Sequence, residues 1–137
     1  MRTVARETLF KFIFAAQFAD SPDEDLKKLL FKAAELTADD IAYGERVLSI
    51  LDEHREDFLK ILDQNSVSFP EKRIFPSDRA VLLIGLAEIV YMDDIPVKVT
   101  LNECANIASK YSSAKSASFI TGILSTVARE SSGGNNV

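Results

Sequence analysis

The run Asp78-Arg79-Ala80-Val81-Leu82-Leu83-Ile84-Gly85-Leu86-Ala87-Glu88 sets the reading of this chain. Two stretches follow it: Asp94-Ile95-Pro96-Val97-Lys98-Val99-Thr100-Leu101-Asn102-Glu103, then Phe119-Ile120-Thr121-Gly122-Ile123-Leu124. Together they read as three helices joined by tight connections. Ser77 is placed to cap the first, and Asp78 favours the positive end of its dipole. Asp93-Asp94-Ile95-Pro96 stops that helix. Pro96 stands where the next can begin, since proline suits a first turn and breaks a helix interior. Val99, Leu101, Ala105, Ile107 and Ala108 carry the second helix to Tyr111. Ser112-Ser113 interrupts it, and the third runs from about Lys115 to Arg129.

Upstream, the apolar side chains keep a helical period and no segment alternates, so the expected fold class is all-α, with about six to seven helices. The first helix spans about Thr3 to Ala19. Its Phe10, Phe12, Phe14 and Phe18 occupy more than one stripe, which suits packing on several neighbours. Asp20-Ser21-Pro22-Asp23 ends it, and Leu26, Leu29, Leu30 and Ala33 give the next helix a narrow apolar stripe. Thr37-Ala38-Asp39-Asp40 resembles a capping box with Asp in place of Glu. Ile41, Val47, Leu48, Leu51, Phe58 and Leu62 then extend a long helix to about Asp63. Asn65 to Pro76 reads as a connecting loop, with Phe69 and Phe75 expected to tuck it onto the core. Ser131 to Asn136 has no apolar group to bury and is expected to be a disordered tail.

A chain of 137 residues has a one-domain length. It can bury about two-thirds of its unfolded surface without staples. The net charge is −5 and the pI about 4.9, so nucleic acid is not held by bulk charge, and any such site must be local. The lone Cys104 excludes an internal disulfide and fits a reducing cytosol. Glu7 and Lys11 interrupt the apolar N-terminal stretch, so no signal peptide is expected. No run approaches the ~18 apolar residues of a membrane span. A cytoplasmic protein is the expectation.

The chemistry-bearing residues give no catalytic constellation. His54 is the single histidine and lies among Glu53, Arg55 and Glu56, which suits an exposed ring. Cys104 has no histidine beside it and reads as a small buried thiol. No ligand cluster has metal-binding spacing, and no glycine-rich phosphate loop is present. Asp39-Asp40 and Asp93-Asp94 fall at helix ends, where capping explains them. Gly122 interrupts a helical pattern, and close helix packing is the expected reason. The cations are more informative. Arg2, Arg6 and Lys11 fall along one side of the first helix; Lys110, Tyr111 and Lys115 bracket the start of the last, beside two serines. A tyrosine between cations can stack a base and hold phosphates; a solvated basic edge is the plain alternative.

The order of these signals resembles the NusB family of bacterial transcription antitermination factors. Its members share an Asp/Glu-Arg/Lys opening one helix, an Ile-Pro leading to Asn-Glu, and a closing Phe-x-x-Gly-x-Leu; Ala5-Arg6-Glu7 fits the family's opening. The resemblance implies two packed helical bundles in one domain over residues 1–130, with halves 1–64 and 76–130 and a polar tail at 131–137. It implies a non-catalytic factor, with no cofactor and no metal, that binds boxA-type single-stranded leader RNA with NusE, the small-subunit ribosomal protein. That complex would hold RNA polymerase in a termination-resistant state and promote ribosomal RNA transcription. RNA would use Arg2, Arg6, Lys110, Tyr111 and Lys115; NusE would use Phe14 and Asp78. The chain departs from the family where Thr3 and Val4 interrupt the N-terminal arginines, where Lys115 replaces an acidic or neutral residue, and where Thr121 replaces an asparagine. A protein-interaction adaptor of the same fold with little RNA binding is the alternative. A ribosomal RNA methyltransferase is a weaker one, since the chain has no room for that domain. Monomer and homodimer both remain open.

Overall fold

Phe75 and Pro76 begin the helix on which the rest of the molecule is built. The computed structural model describes residues 2–20, 23–65 and 74–131. Among them the elements are α1 (Arg2–Ala16), α2 (Glu24–Ala33), α3 (Ala38–Asn65), α4 (Pro76–Tyr91), α5 (Val97–Tyr111) and α6 (Ala114–Ser131). The expected placement of Phe69 and the expected disorder after Ser131 lie outside the described residues.

Local chemistry sets several helix starts. Asp23 caps α2, its carboxylate accepting the Leu26 N–H at 3.0 Å. Thr37 and Asp40 form the expected reciprocal box at α3: the Thr37 hydroxyl accepts from the Asp40 N–H at 3.2 Å, and the Asp40 carboxylate accepts from the Thr37 N–H at 3.4 Å. Ser113 accepts the Ser116 N–H at the head of α6. At α4 the expectation is corrected. Phe75 holds the cap position without a side-chain bond and Pro76 is the first helical residue, so Ser77 lies inside the first turn.

Ala80 to Glu88 of α4 are all buried. A helix apolar on every side has no solvent face and must sit among neighbours. α1, α3, α5 and α6 surround it, and one apolar cluster runs through Leu9 and Ile13 of α1, Val47 and Leu51 of α3, Leu82 to Leu86 of α4, Ile107 of α5 and Leu124 of α6. α2 joins this core through Phe31. Leu26 and Leu30 of its expected stripe are half-buried, while Leu29 and Ala33 are exposed, and Phe31 is the one fully buried side chain of α2. Ile41 and Phe75 are likewise exposed rather than packed inward.

One charged side chain, Glu88, lies within the buried stretch of α4. Its carboxylate accepts from Arg6 of α1 twice, at 2.7 and 3.0 Å, from the Thr100 hydroxyl of α5 at 2.7 Å and from the Tyr43 phenol of α3. A carboxylate offers about four acceptor positions, so this group is saturated. Arg6 also reaches Glu103 of α5 at 3.0 Å, and Thr3 donates to the same Glu103 oxygen at 2.7 Å. Four helices are thus joined at one buried point.

The glycines divide by environment. A Cβ on Gly85 would lie 2.5 Å from Leu124 Cδ1 and 3.3 Å from Cys104 Sγ, so Gly85 is what lets α4 approach α5 and α6 closely. Gly122, for which close packing was expected, is exposed with nothing within 4 Å of its would-be Cβ. The two alanine substitutions should therefore act in opposite senses. Gly122→Ala should raise stability by up to about 1 kcal/mol through helix propensity. Gly85→Ala gains the same propensity but overpacks the core, at a cost of about 1–3 kcal/mol, and should lower it. Denaturant melts of both variants check the pair; stabilisation by Gly85→Ala would refute the packing role.

Candidate nucleic-acid and partner interface

α1 and the corner between α5 and α6 carry the residues expected to bind RNA, and the structure separates them into exposed and buried. Lys110, Tyr111 and Lys115 are exposed at the corner, and Lys11 is exposed on α1. Arg2 is exposed at the head of α1, its guanidinium 4.3 Å over the Tyr43 ring. Arg6 is not on this surface. It is 2% exposed, and of its ion-pair partners Glu88 is fully buried and Glu103 half-buried. Burial alone would lower its pKa, but the bond to Glu88 and the charges around it outweigh that and hold the guanidinium firmly protonated. A group so enclosed cannot reach a phosphate, and its expected RNA role is corrected to a structural one.

The corner is preassembled against α1. The Tyr111 ring stacks on Phe10 with centroids 4.9 Å apart. Its phenol donates to Glu7 Oε1, and the Lys110 ammonium donates to the same oxygen at 2.9 Å. Glu7, one residue along from the Arg6 clamp, has no counterpart among the expected site residues. Its position beside Lys110 and Tyr111 was not visible in one dimension, because Lys110 lies 103 residues away. The bonds from Tyr111 and then Lys110 pull the Glu7 pKa down, while burial and then Glu7 push that of Tyr111 up.

The two residues expected to meet a protein partner sit at the other end of α1. Gln17 donates to the Pro76 carbonyl at 2.8 Å and accepts from Arg79 Nε at 2.7 Å, pinning the end of α1 to the start of α4. Phe14, 36% exposed, stacks against Phe10 and meets Phe18 edge-on at 5.3 Å; Phe18 is 69% exposed and Phe75 67%. Phe18 and Phe75 are exposed apolar rings that the sequence reading did not assign to a surface. Asp78 is buried. Ser116 donates to its Oδ2 at 3.0 Å, and its Oδ1 has no hydrogen-bond partner among the described residues. It lines an open hollow of about 270 Å³ together with Phe75, Lys115 and Phe119. Lys115 therefore borders both expected surfaces.

Groups set aside in the sequence behave as follows. His54 is half-buried rather than exposed, stacked on Tyr91 at 4.1 Å with Nδ1 3.2 Å from the phenol oxygen. Cys104 is buried, and burial pushes its thiol pKa up, which disfavours the nucleophilic thiolate. Among the described residues no group of His, Cys, Asp and Glu is arranged to hold a metal, and no helix is long and apolar enough to cross a membrane.

Two outcomes are expected. Arg6→Ala leaves the Glu88 carboxylate buried without its cation, a defect of about 3–5 kcal/mol. Its melting temperature should fall sharply, and an unchanged one would return Arg6 to the surface. The folded pKa of Glu7 lies below its ordinary value of 4.5, so its contact stabilises the fold above that value and is lost as pH falls through the lower one. An NMR titration of the Glu7 carboxyl should show this depressed midpoint, and Tyr111→Phe, which removes the largest cause, should move it back up.

Comparison with known proteins gives the following. A model of the NusB family matches residues 3–129. The transcription antitermination protein NusB of Agathobacter rectalis is 30% identical over 129 residues, covering 93% of this chain and 98% of that protein. That of Fervidobacterium nodosum is 33% identical over 135 residues, covering 94% and 91%. Among solved structures, T. maritima NusB superposes with a TM-score of 0.87 at 24% identity, covering 95% and 92%. A crystal structure of antitermination factors NusB and NusE in complex with dsRNA gives 0.84 at 19%, covering 94% and 96%. At those identities the two structures speak for the shared all-α fold.

Proposed function

The chain belongs to the NusB family, and from that premise we propose that it is a non-catalytic, cytoplasmic transcription antitermination factor. It binds boxA-type single-stranded leader RNA together with NusE, and through that complex it acts on elongating RNA polymerase to favour ribosomal RNA transcription. The observation that carries the reading is the adjacency of the two surfaces. An exposed tyrosine between Lys110 and Lys115 offers stacking and phosphate contacts, and Lys115 also lines the hollow that holds Asp78. An acidic protein with a local cationic corner next to a protein-binding patch is suited to RNA that is presented jointly with a partner.

RNA contacts in this reading fall to Lys110, Tyr111 and Lys115, with Arg2 as an outlying cation and Arg6 removed. NusE contacts fall to the exposed Phe14 and Phe18, with Asp78 buried in the adjoining hollow, where its Oδ1 has no hydrogen-bond partner among the described residues. The alternative, a protein adaptor with little RNA affinity, draws support from one observation: Arg6 is buried, and both Lys110 and Tyr111 are already engaged by Glu7.

Binding to NusE and to boxA-type RNA, separately and together, distinguishes the two. With about three phosphates neutralised, affinity for the single strand should fall with salt at a log–log slope of roughly −2, and NusE should tighten it. Tyr111→Ala should weaken RNA binding by about 1–3 kcal/mol if its ring stacks on a base. Asp78→Lys should weaken NusE binding in a variant that still folds. RNA binding that stays undetectable at low salt with NusE present would establish the adaptor.

A further inference from the structure

We propose that Glu7 is an internal competitor for RNA phosphate: its carboxylate occupies the anion position between Lys110 and Tyr111, and the nucleic acid must displace it. This rests on the reading of the α5–α6 corner as the RNA site. Both donors converge on a single oxygen, Glu7 Oε1, with the ammonium at 2.9 Å. A cation and a hydroxyl aimed at one anionic oxygen is the arrangement that a phosphate oxygen requires. The competitor is held in place. Glu7 follows Arg6, which the buried contacts to Glu88 and Glu103 fix, and the Tyr111 ring is closed on one side by Phe10. Its side chain is 24% exposed and that of Lys110 is 60% exposed, so the pair lies at the surface, where an incoming strand can replace it.

The consequence is selectivity. An arbitrary polyanion gains little at a cation that is already neutralised, so phosphate charge alone does not open the corner. A strand that also stacks a base on Tyr111, taking the place of the Lys110 ammonium that lies 5.4 Å from the ring centroid, and reaches Lys115 gains enough to displace the carboxylate. Glu7 is a carboxylate at neutral pH, as an ordinary glutamate is, and the bonds from Tyr111 and Lys110 lower its pKa further, so it competes there.

The test measures binding of boxA-type RNA and of a scrambled RNA of equal length to the full chain and to its Glu7→Gln, Lys110→Ala and double variants. Glu7→Gln keeps the shape and removes the charge. It should tighten binding by up to about fivefold, the range expected from freeing a surface ion pair, and more for the scrambled strand than for boxA. The salt slope should steepen by about 0.7, one further phosphate contact on a single strand. In the Lys110→Ala background the gain should vanish. A gain that persists there reflects overall charge and overturns the proposal. Unchanged or weaker binding by Glu7→Gln, with Lys110→Ala also weak, overturns it while leaving the RNA site intact, since Glu7 then positions the two donors. If neither Lys110→Ala nor Tyr111→Ala alters binding, the RNA corner itself is wrong and the proposal falls with it.

Discussion

The buried contact between Arg6 and Glu88 is the constraint on which the remaining surfaces depend. α4 is apolar on every side, so its hydrophobic pattern alone does not select which face meets α1; the saturated carboxylate at Glu88, together with the close approach at Gly85, does. A charge in such a site is tolerable only when every acceptor position is filled, and here the donors come from α1, α3 and α5. Packing supplies the bulk of the stabilisation, while the clamp sets which side of α1 faces in. That choice places Glu7, Lys11 and Phe14 outward.

From this follows a division of labour along α1. Its first half presents Glu7 to Lys110 and Tyr111, and its second half presents Phe14 and Phe18 beside the start of α4. The stacked rings of Tyr111, Phe10 and Phe14 run between the two. A chain of net charge −5 does not attract nucleic acid by bulk charge, so the proposed recognition is assigned to this local corner and to what a partner adds next to it. Lys115 lines the Asp78 hollow, so in the proposed reading the RNA and partner surfaces meet at the head of α6.

Much of the fold was legible in the sequence because helix periodicity, prolines and capping residues are local signals. The Thr37–Asp40 box and the breaks at Asp94-Ile95-Pro96 and Ser112-Ser113 needed no tertiary information. What failed was whatever depended on a neighbour distant in sequence. Ser77 was taken for a cap because Pro76 is equally able to open the helix. Leu29 falls in an apolar stripe by spacing, yet it is exposed because α2 turns Phe31, not Leu29, into the core. Gly122 and Gly85 look alike in a helical pattern, and only the position of Leu124 separates them. Arg6 illustrates the same limit at the candidate site: an arginine on an N-terminal helix reads as a phosphate ligand until Glu88 is seen across from it.

Amide chemical-shift mapping on the labelled chain, first with boxA-type RNA and then with NusE, tests the central claim most directly. The account predicts that RNA perturbs the α5–α6 corner around Lys110 to Lys115 and the facing turn of α1 at Glu7, with the buried Arg6–Glu88 region unmoved. NusE should then perturb Phe14, Phe18 and the start of α4. RNA-induced changes confined to α2 and the head of α3, with the corner silent, would contradict it.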